Sequence, residues 1–315
     1  MNGLSSFVHV SVLLEETVEG MAPRDGGRYV DCTLGGGGHA QRILEASAPS
    51  GRLLALDQDE AAIAHAGERL KPYGDRVILV QENFRHVRRC VERAQFGPVD
   101  GVVFDLGVSS PQFDEPERGF SYRHDAALDM RMDRRQTLTA ADLVNEASEE
   151  ELARIFFEYG EEKFSRRVAR AIVRRREMGR IETTGELAEI VREAIPAPAR
   201  RSGPHPARRV FQALRIAVND ELGALREGLE GAFAVLAPGG RLAVITFHSL
   251  EDRLVKKRFA EWCQGCVCPP DFPVCTCGRT AQARLVTRKP IVPSEAEVAD
   301  NPRARSAKLR ILERL

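Results

Sequence analysis

Four consecutive glycines, Gly35 to Gly38, stand in the segment DCTLGGGGHA at 31–40, between a short apolar run and a helical pattern. A glycine run is costly inside a helix or strand, so it marks a turn where the backbone adopts positive φ or approaches a ligand closely. Strand, glycine turn and helix together open a parallel βαβ unit. The following sequence agrees. Short apolar runs at 28–33, 52–57, 77–81 and 99–105 alternate with helical patterns, which predicts parallel strands joined by crossover helices. Each run closes on a polar or glycine-rich end, and open α/β sheets bind ligands outside the carboxyl ends of their strands.

After residue 105 the rhythm changes. Amphipathic helical patterns at 140–144, 149–159 and 184–194 follow one another with no strand between them, and 196–206 reads as a turn-rich connection. Strand patterns return only at 241–247, after the turn Pro238–Gly239–Gly240, and at 308–313. A chain of 315 residues exceeds what one core usually organises. The predicted fold class is therefore α/β, a Rossmann-like doubly wound sheet carrying an inserted helical domain. Residues 1–112 form the first part of the core, 113–209 the insertion and 210–315 the second part.

The charges balance, with 46 basic against 46 acidic residues, so any attraction for nucleic acid must rest on local distribution. Basic residues concentrate in FSRRVARAIVRRREMGR at 164–180 and around Arg200, Arg201, Arg208 and Arg209. Alone, that segment reads as a helix with a solvated basic face. No stretch approaches the roughly 20 apolar residues of a membrane span. The first residues lack a basic start and a cleavage site, so a cytoplasmic protein with reduced thiols is expected. Five of the seven cysteines crowd into CQGCVCPPDFPVCTCG at 263–278. Four thiolates would suffice for structural zinc, but paired C-x-C spacings are less typical of such sites. The cluster is read as a loop of thiols, and no metal ligand is assigned.

The glycine loop also satisfies a dinucleotide pattern, Gly35-x-Gly37-x-x-Ala40, with Asp57 about 20 residues on as a ribose acceptor. A nicotinamide cofactor thus competes with S-adenosylmethionine. Asp31 precedes the glycines at a strand end, where it would face a cationic methionine portion and repel a pyrophosphate. Asp57 is placed to accept from both ribose hydroxyls. Glu82, Asn83 and Phe84 follow the third strand, where they could contact adenine, and Asp105 ends the fourth beside the reacting centre. Singly, such residues are more often helix caps or core. Their shared position at successive strand ends favours the methyl donor.

The fourth strand runs into Asp105-Leu-Gly-Val-Ser109-Ser-Pro-Gln112, where an acceptor would meet the sulfonium. Carbon-5 methylation of a pyrimidine needs a nucleophilic cysteine, and this loop has none. Methylation of an exocyclic amine needs a hydrogen-bond acceptor for its N–H, which Asp105 with Ser109 or a backbone carbonyl could provide. Phe113, Phe120 and Tyr122 could stack on an unstacked base or pack in the loop.

Long motifs add a resemblance. HVSVLLEE at 9–16, DCTLGGGGHA at 31–40, DLGVSSPQFD at 105–114, RGFSYRHDAALDMRMD at 118–133, YGEEKFSRRVARAI, RVFQALRIAVNDEL, TFHSLEDRLVK and NPRARSAKLR together resemble the bacterial 16S ribosomal RNA cytosine N(4)-methyltransferases of the MraW/RsmH type. The resemblance implies a class I S-adenosylmethionine-dependent methyltransferase whose inserted domain recognises substrate. It implies 16S ribosomal RNA as partner, within the small subunit, and a decoding-centre cytosine as target. Donor-binding positions carry over as Gly37, Gly38, His39, Asp57, Phe84, Asp105 and Gln112, with Asp105 also the catalytic candidate. Under this resemblance the basic segment at 164–180 and residues 301–305 become candidate RNA-phosphate contacts. A ribosome-assembly factor that keeps the pocket without turnover is the rival of another class.

Overall fold

The computed structural model describes residues 11–201, 205–268, 274 and 276–315. His9, Val10 and Cys275 lie outside the described residues. Two compact units emerge, one made of residues 1–107 with 224–315, the other of residues 108–223.

The chain enters through α1 (Leu14–Met21), then alternates β1 (Arg28–Asp31), α2 (Gly38–Ala46), β2 (Arg52–Asp57), α3 (Glu60–Leu70), β3 (Val77–Gln81), α4 (Val87–Arg93) and β4 (Val99–Asp105). Among the described residues of the second unit the α-helices are α5 (Ser110–Asp114), α6 (Ala140–Glu146), α7 (Glu149–Glu158), α8 (Ser165–Arg176), α9 (Thr184–Ala194), α10 (Ala197–Arg200) and α11 (Ala207–Asn219). Then come α12 (Glu221–Val235), β5 (Leu236–Thr246), α13 (Ser249–Cys263), β6 (Ala283–Leu285), α14 (Glu295–Asp300) and β7 (Lys308–Arg314).

Among the described residues seven strands form one sheet in the order β3-β2-β1-β4-β5-β7-β6. β1 to β5 pair in parallel, whereas β7 runs antiparallel to both β5 and β6. From β1 the chain winds outward to β2 and β3, then returns to place β4 on the other side of β1. The β1/β4 boundary is therefore the switch point, the place where doubly wound sheets open a crevice at their carboxyl ends. The expected Rossmann-like fold class is what the structure has.

Both faces of this sheet are covered. Tyr29, Leu53, Ala55, Val103 and Ala243 join one apolar cluster, while Val30, Leu54, Leu56, Val102, Phe104 and Val244 join another. Burial on two faces makes these strands continuous apolar runs rather than alternating patterns. That is why 52–57, 77–81 and 99–105 coincide with β2, β3 and β4. β5 starts five residues before the predicted 241, because Pro238, Gly239 and Gly240 form an irregularity inside it: Leu236 pairs with Val99, and Arg241 with Gly101. Gly239 sits there at φ +80°. β6 was not predicted; it is three residues long, and Arg284 and Leu285 are exposed.

The second unit has its own core, formed from α6 to α9 and α11. The unit boundaries fall after Gly107 and Gly223, not after 112 and 209 as expected. The cause is apolar packing. Val108 and Phe113 border the helical core, and Val210, Phe211, Leu214 and Val218 of α11 are built into it. A polar clamp reinforces the far end. The buried Asn219 amide donates to the Met130 and Arg215 carbonyls, each at 2.8 Å, and accepts from the Met132 amide at 2.8 Å. Asn219→Ala leaves buried peptide groups unpaired and should cost about 2–3 kcal/mol in this unit. Faster amide exchange confined to α11 and residues 130–132 is the expected readout; unchanged exchange there would refute the clamp.

Candidate functional site

Three predicted carboxylates occupy neighbouring strand ends in the first unit. The backbone ladder extends past the strands and gathers these ends: Cys32 N donates to Val103 O at 2.9 Å, Leu34 N to Leu56 O at 2.9 Å, and Leu106 N to Ile245 O at 3.1 Å. The Thr33 hydroxyl accepts from Asp105 N at 2.6 Å, so the glycine loop is tied directly to the end of β4. Gly37 caps α2 at φ +76°, where a β-carbon would be strained, and Gly38 begins the helix. A β-carbon on Gly38 would lie 2.1 Å from Ser11 Oγ, so the Ser11 side chain packs against the helix start in space that only glycine leaves free.

Asp57 is preorganised by this turn. Its Oδ2 accepts from Gly35 N and its Oδ1 from Asp59 N, both at 2.9 Å, and each oxygen keeps a further lone pair. Burial pushes its pKa to about 6 despite these two amides. Asp31 is 1% exposed. Its Oδ1 accepts from Thr33 N at 3.0 Å, while Oδ2 is buried with no hydrogen-bond partner among the described residues. Burial, with Asp57 adding to it, raises Asp31 to about 7.

Asp105 is raised further, to about 8, by burial first and then by the charges of Asp31 and Glu251. Its Oδ1 is likewise buried with no hydrogen-bond partner among the described residues. Its Oδ2 lies 3.7 Å from His39 Nδ1. The buried His39 ring places Nε2 3.1 Å from the Val12 carbonyl, an acceptor only, so Nε2 carries the proton and Nδ1 faces Asp105. Two carboxyls that hold protons near neutrality, with unfilled hydrogen-bond capacity at a sheet switch point, suit a cationic ligand and proton transfer.

Gly37, Gly38, His39, Asp57 and Asp105 are thus brought to one edge of the sheet. Phe84 follows β3, half-buried, with its ring edge-on to Phe104 at 5.5 Å and 82°. Gly228 gives this ring room, since a β-carbon there would approach Phe84 to 2.9 Å. Beside Phe84, Glu82 pairs with Arg89 at 2.9 Å, and Asn83 Nδ2 donates to Gln58 Oε1 at 2.7 Å. Gln112 belongs to the helical unit, where its buried side chain accepts from Ser109 N at 3.1 Å. In that unit the proposed stacking aromatics are packed. Phe120 is buried under Arg118, Tyr122 stacks on His205 at 4.6 Å, and Phe113 borders the core.

Two residues escaped the sequence reading. Glu251, 2% exposed at the start of α13, accepts from Phe247 N at 2.8 Å and adds to the charge felt by Asp105. Its signal was the His248-x-x-Glu251 capping box inside TFHSLED. Cys32 follows Asp31, but burial lifts its thiol well above the ordinary value. It cannot serve as the nucleophile that carbon-5 chemistry requires.

The basic segment divides into two groups. Arg175 pairs with Glu186, Arg176 donates to the Val144 and Ala147 carbonyls, Arg170 pairs with Glu149, and Arg180 with Asp142. These side chains fasten helices together. Arg166, Arg167 and Arg174 are exposed and form no ion pair among the described residues.

Asp31 makes a stability prediction with a definite sign. A carboxyl raised from 3.8 to about 7 favours the folded chain fully below 3.8, and loses that contribution as pH rises through 7. The difference is on the order of 4 kcal/mol. Asp31→Asn should therefore stabilise the ligand-free protein at pH 8.5 more than at pH 6, as read from urea unfolding by Trp262 fluorescence. An equal effect at both values would sink this account.

Residues 6–315 match the description of the MraW methylase family. The chain is 63% identical over 310 residues to the "Ribosomal RNA small subunit methyltransferase H" of Symbiobacterium thermophilum, covering 98% of each chain. It is 58% identical to the protein of the same name from Brevibacillus brevis, covering 98% of this chain and 99% of the other. Among solved structures, an rRNA methylase from Streptococcus thermophilus aligns with TM-score 0.44 and 12% identity over 97% of this chain and 98% of that one. At that distance the strand order, not the likeness, defines the fold. The contest over the glycine loop falls to S-adenosylmethionine, and the chain belongs to the MraW methylase family.

Proposed function

We propose that this protein transfers the methyl group of S-adenosylmethionine to the exocyclic N4 amine of a cytosine in 16S ribosomal RNA, cytosine 1402 in the usual numbering. We place the reaction in the cytoplasm, with the small ribosomal subunit as partner. The observation that supports it best is Asp105, whose unsatisfied Oδ1 and pKa near 8 equip it to take a proton at the end of β4.

S-adenosylmethionine, when bound, supplies an electrophilic methyl on a positively charged sulfur, so the leaving thioether departs neutral. The chain's residues divide the remaining tasks. Gly37 and Gly38 let the methionine portion approach the backbone, and Asp31 faces its positive charge. Asp57 accepts from the ribose hydroxyls with the lone pairs left over from Gly35 and Asp59. Phe84 offers its exposed edge to adenine. His39 packs beside Asp105, and Gln112 is assigned to the donor on family resemblance alone. The cytosine amine is a weak nucleophile because its lone pair is delocalised into the ring. Asp105 accepts its N–H and aims it; as the N–C bond forms and the C–S bond breaks, the amine proton passes to this carboxylate. Alignment of the two reactants supplies most of the rate, with proton acceptance adding about 10²–10⁴-fold.

Small subunits lacking this methylation, incubated with enzyme and labelled donor, should yield N4-methylcytidine on nucleoside mass spectrometry. Asp105→Asn should lower kcat by about 10²–10⁴-fold while S-adenosylhomocysteine still binds. It should also abolish the rise of turnover with pH that deprotonation of Asp105 imposes on the native enzyme. Methyl on carbon-5 or on protein would overturn the assignment, and binding without any turnover would favour an assembly factor.

RNA contact is proposed for the helical unit. Phe157, 64% exposed, and the cations Arg154, Lys163, Arg166 and Arg167 line a cleft of about 780 Å³ between α7 and α8, with Glu149 and Glu150 on its wall. An exposed ring among cations suits a base flanked by phosphates. Arg166→Glu with Arg167→Glu should weaken subunit binding and flatten its log–log salt dependence by about 1 for each phosphate no longer neutralised. Donor affinity should not change; an unaltered salt slope would return both arginines to a merely solvated face.

A further inference from the structure

The loop between α13 and β6 is closed at its base. Gln282 N donates to Trp262 O at 2.8 Å, and Trp262 is buried and stacked on Phe233 at 4.2 Å. Among the described residues between these ends, the apolar Val267 and Val274 are exposed, at 45% and 68%, and it is sulfur atoms that gather. Cys266, Cys268 and Cys277 bring their Sγ atoms within 4.8 Å of one another, and the Cys266 and Cys277 sulfurs are 3.7 Å apart.

This spacing has a chemical meaning. A disulfide would hold two sulfurs at about 2.05 Å. Zinc–thiolate bonds of about 2.3 Å in a tetrahedron set neighbouring sulfurs about 3.8 Å apart. Backbone amides are also aimed at sulfur: Cys268 N donates to Cys266 Sγ and Thr276 N to Cys268 Sγ, both at 3.4 Å. Such donors stabilise thiolates, the form that binds metal. Soft sulfur donors in this geometry select zinc over hard cations.

We infer that Cys266, Cys268 and Cys277 hold a zinc ion that fastens the α13–β6 loop, with the remaining tetrahedral position open to a fourth ligand. The ion takes no part in methyl transfer; its task is to fix the segment that carries the exposed Val267 and Val274. The paired C-x-C spacing, which weighs against zinc in the sequence, becomes compatible once the chain folds back to bring Cys277 beside Cys266.

The test uses full-length protein purified under reducing conditions without chelators. One zinc per chain is expected by mass spectrometry of metals, released as a mercurial blocks the loop thiols. Cobalt(II) exchange should give thiolate charge-transfer absorption and the d–d bands of a tetrahedral site. Cys266→Ser with Cys277→Ser should lose the metal while S-adenosylhomocysteine binding by calorimetry is retained, which shows that the domain still folds. Protein without stoichiometric zinc, iron in its place, or a Cys266–Cys277 disulfide in reduced preparations would each overturn the inference.

Discussion

Asp31 and Asp105 end adjacent parallel strands, and burial works against the charge of both. A carboxyl in that position costs stability whenever it is ionised, yet the sheet topology holds it there. The Asp105 amide is bonded to Thr33, and Cys32 to the carbonyl of Val103, so neither strand end can splay to admit more water. The glycine turn depends on the same constraint: Gly35 must bend back far enough to offer its amide to Asp57. Preorganisation of this kind leaves charge-binding capacity that a bound cationic ligand satisfies without rearranging the strands.

Most of the sheet was legible because burial on two faces writes uninterrupted apolar runs. β2, β3 and β4 are read directly from Leu53–Leu56, Val77–Val80 and Val102–Phe104. The strand-end aspartates follow from those runs, so Asp31, Asp57 and Asp105 could be placed around the glycine turn from the order of residues alone. What was illegible depends on long-range contact. α11 presents an ordinary amphipathic pattern, and nothing local says that Val210 and Phe211 join the helical core rather than the sheet. Arginines of α8 look alike in sequence, but Arg175 and Arg176 are consumed by Glu186 and two carbonyls, while Arg166 and Arg167 are not. Glu251 was hidden for a related reason, since its effect on Asp105 crosses from the start of α13 to the end of β4.

The glycine loop by itself could not decide between two cofactors, and electrostatics explains why. The N-terminus of α2 is the positive end of a helix dipole, which attracts an anion such as a pyrophosphate. Dinucleotide folds use that field directly. Here the carboxyls of Asp31 and Asp105 lie at the strand ends beside it, and once a cation draws off their protons their charge opposes the helix over the few ångströms that matter. The resulting field changes sign across the crevice, favouring an anionic group near α2 and a cation near β1 and β4. A zwitterionic amino-acid portion followed by a sulfonium matches that pattern; a bisphosphate does not. On the function proposed above, placement of carboxylates around the glycines, more than the glycines themselves, carries the cofactor specificity.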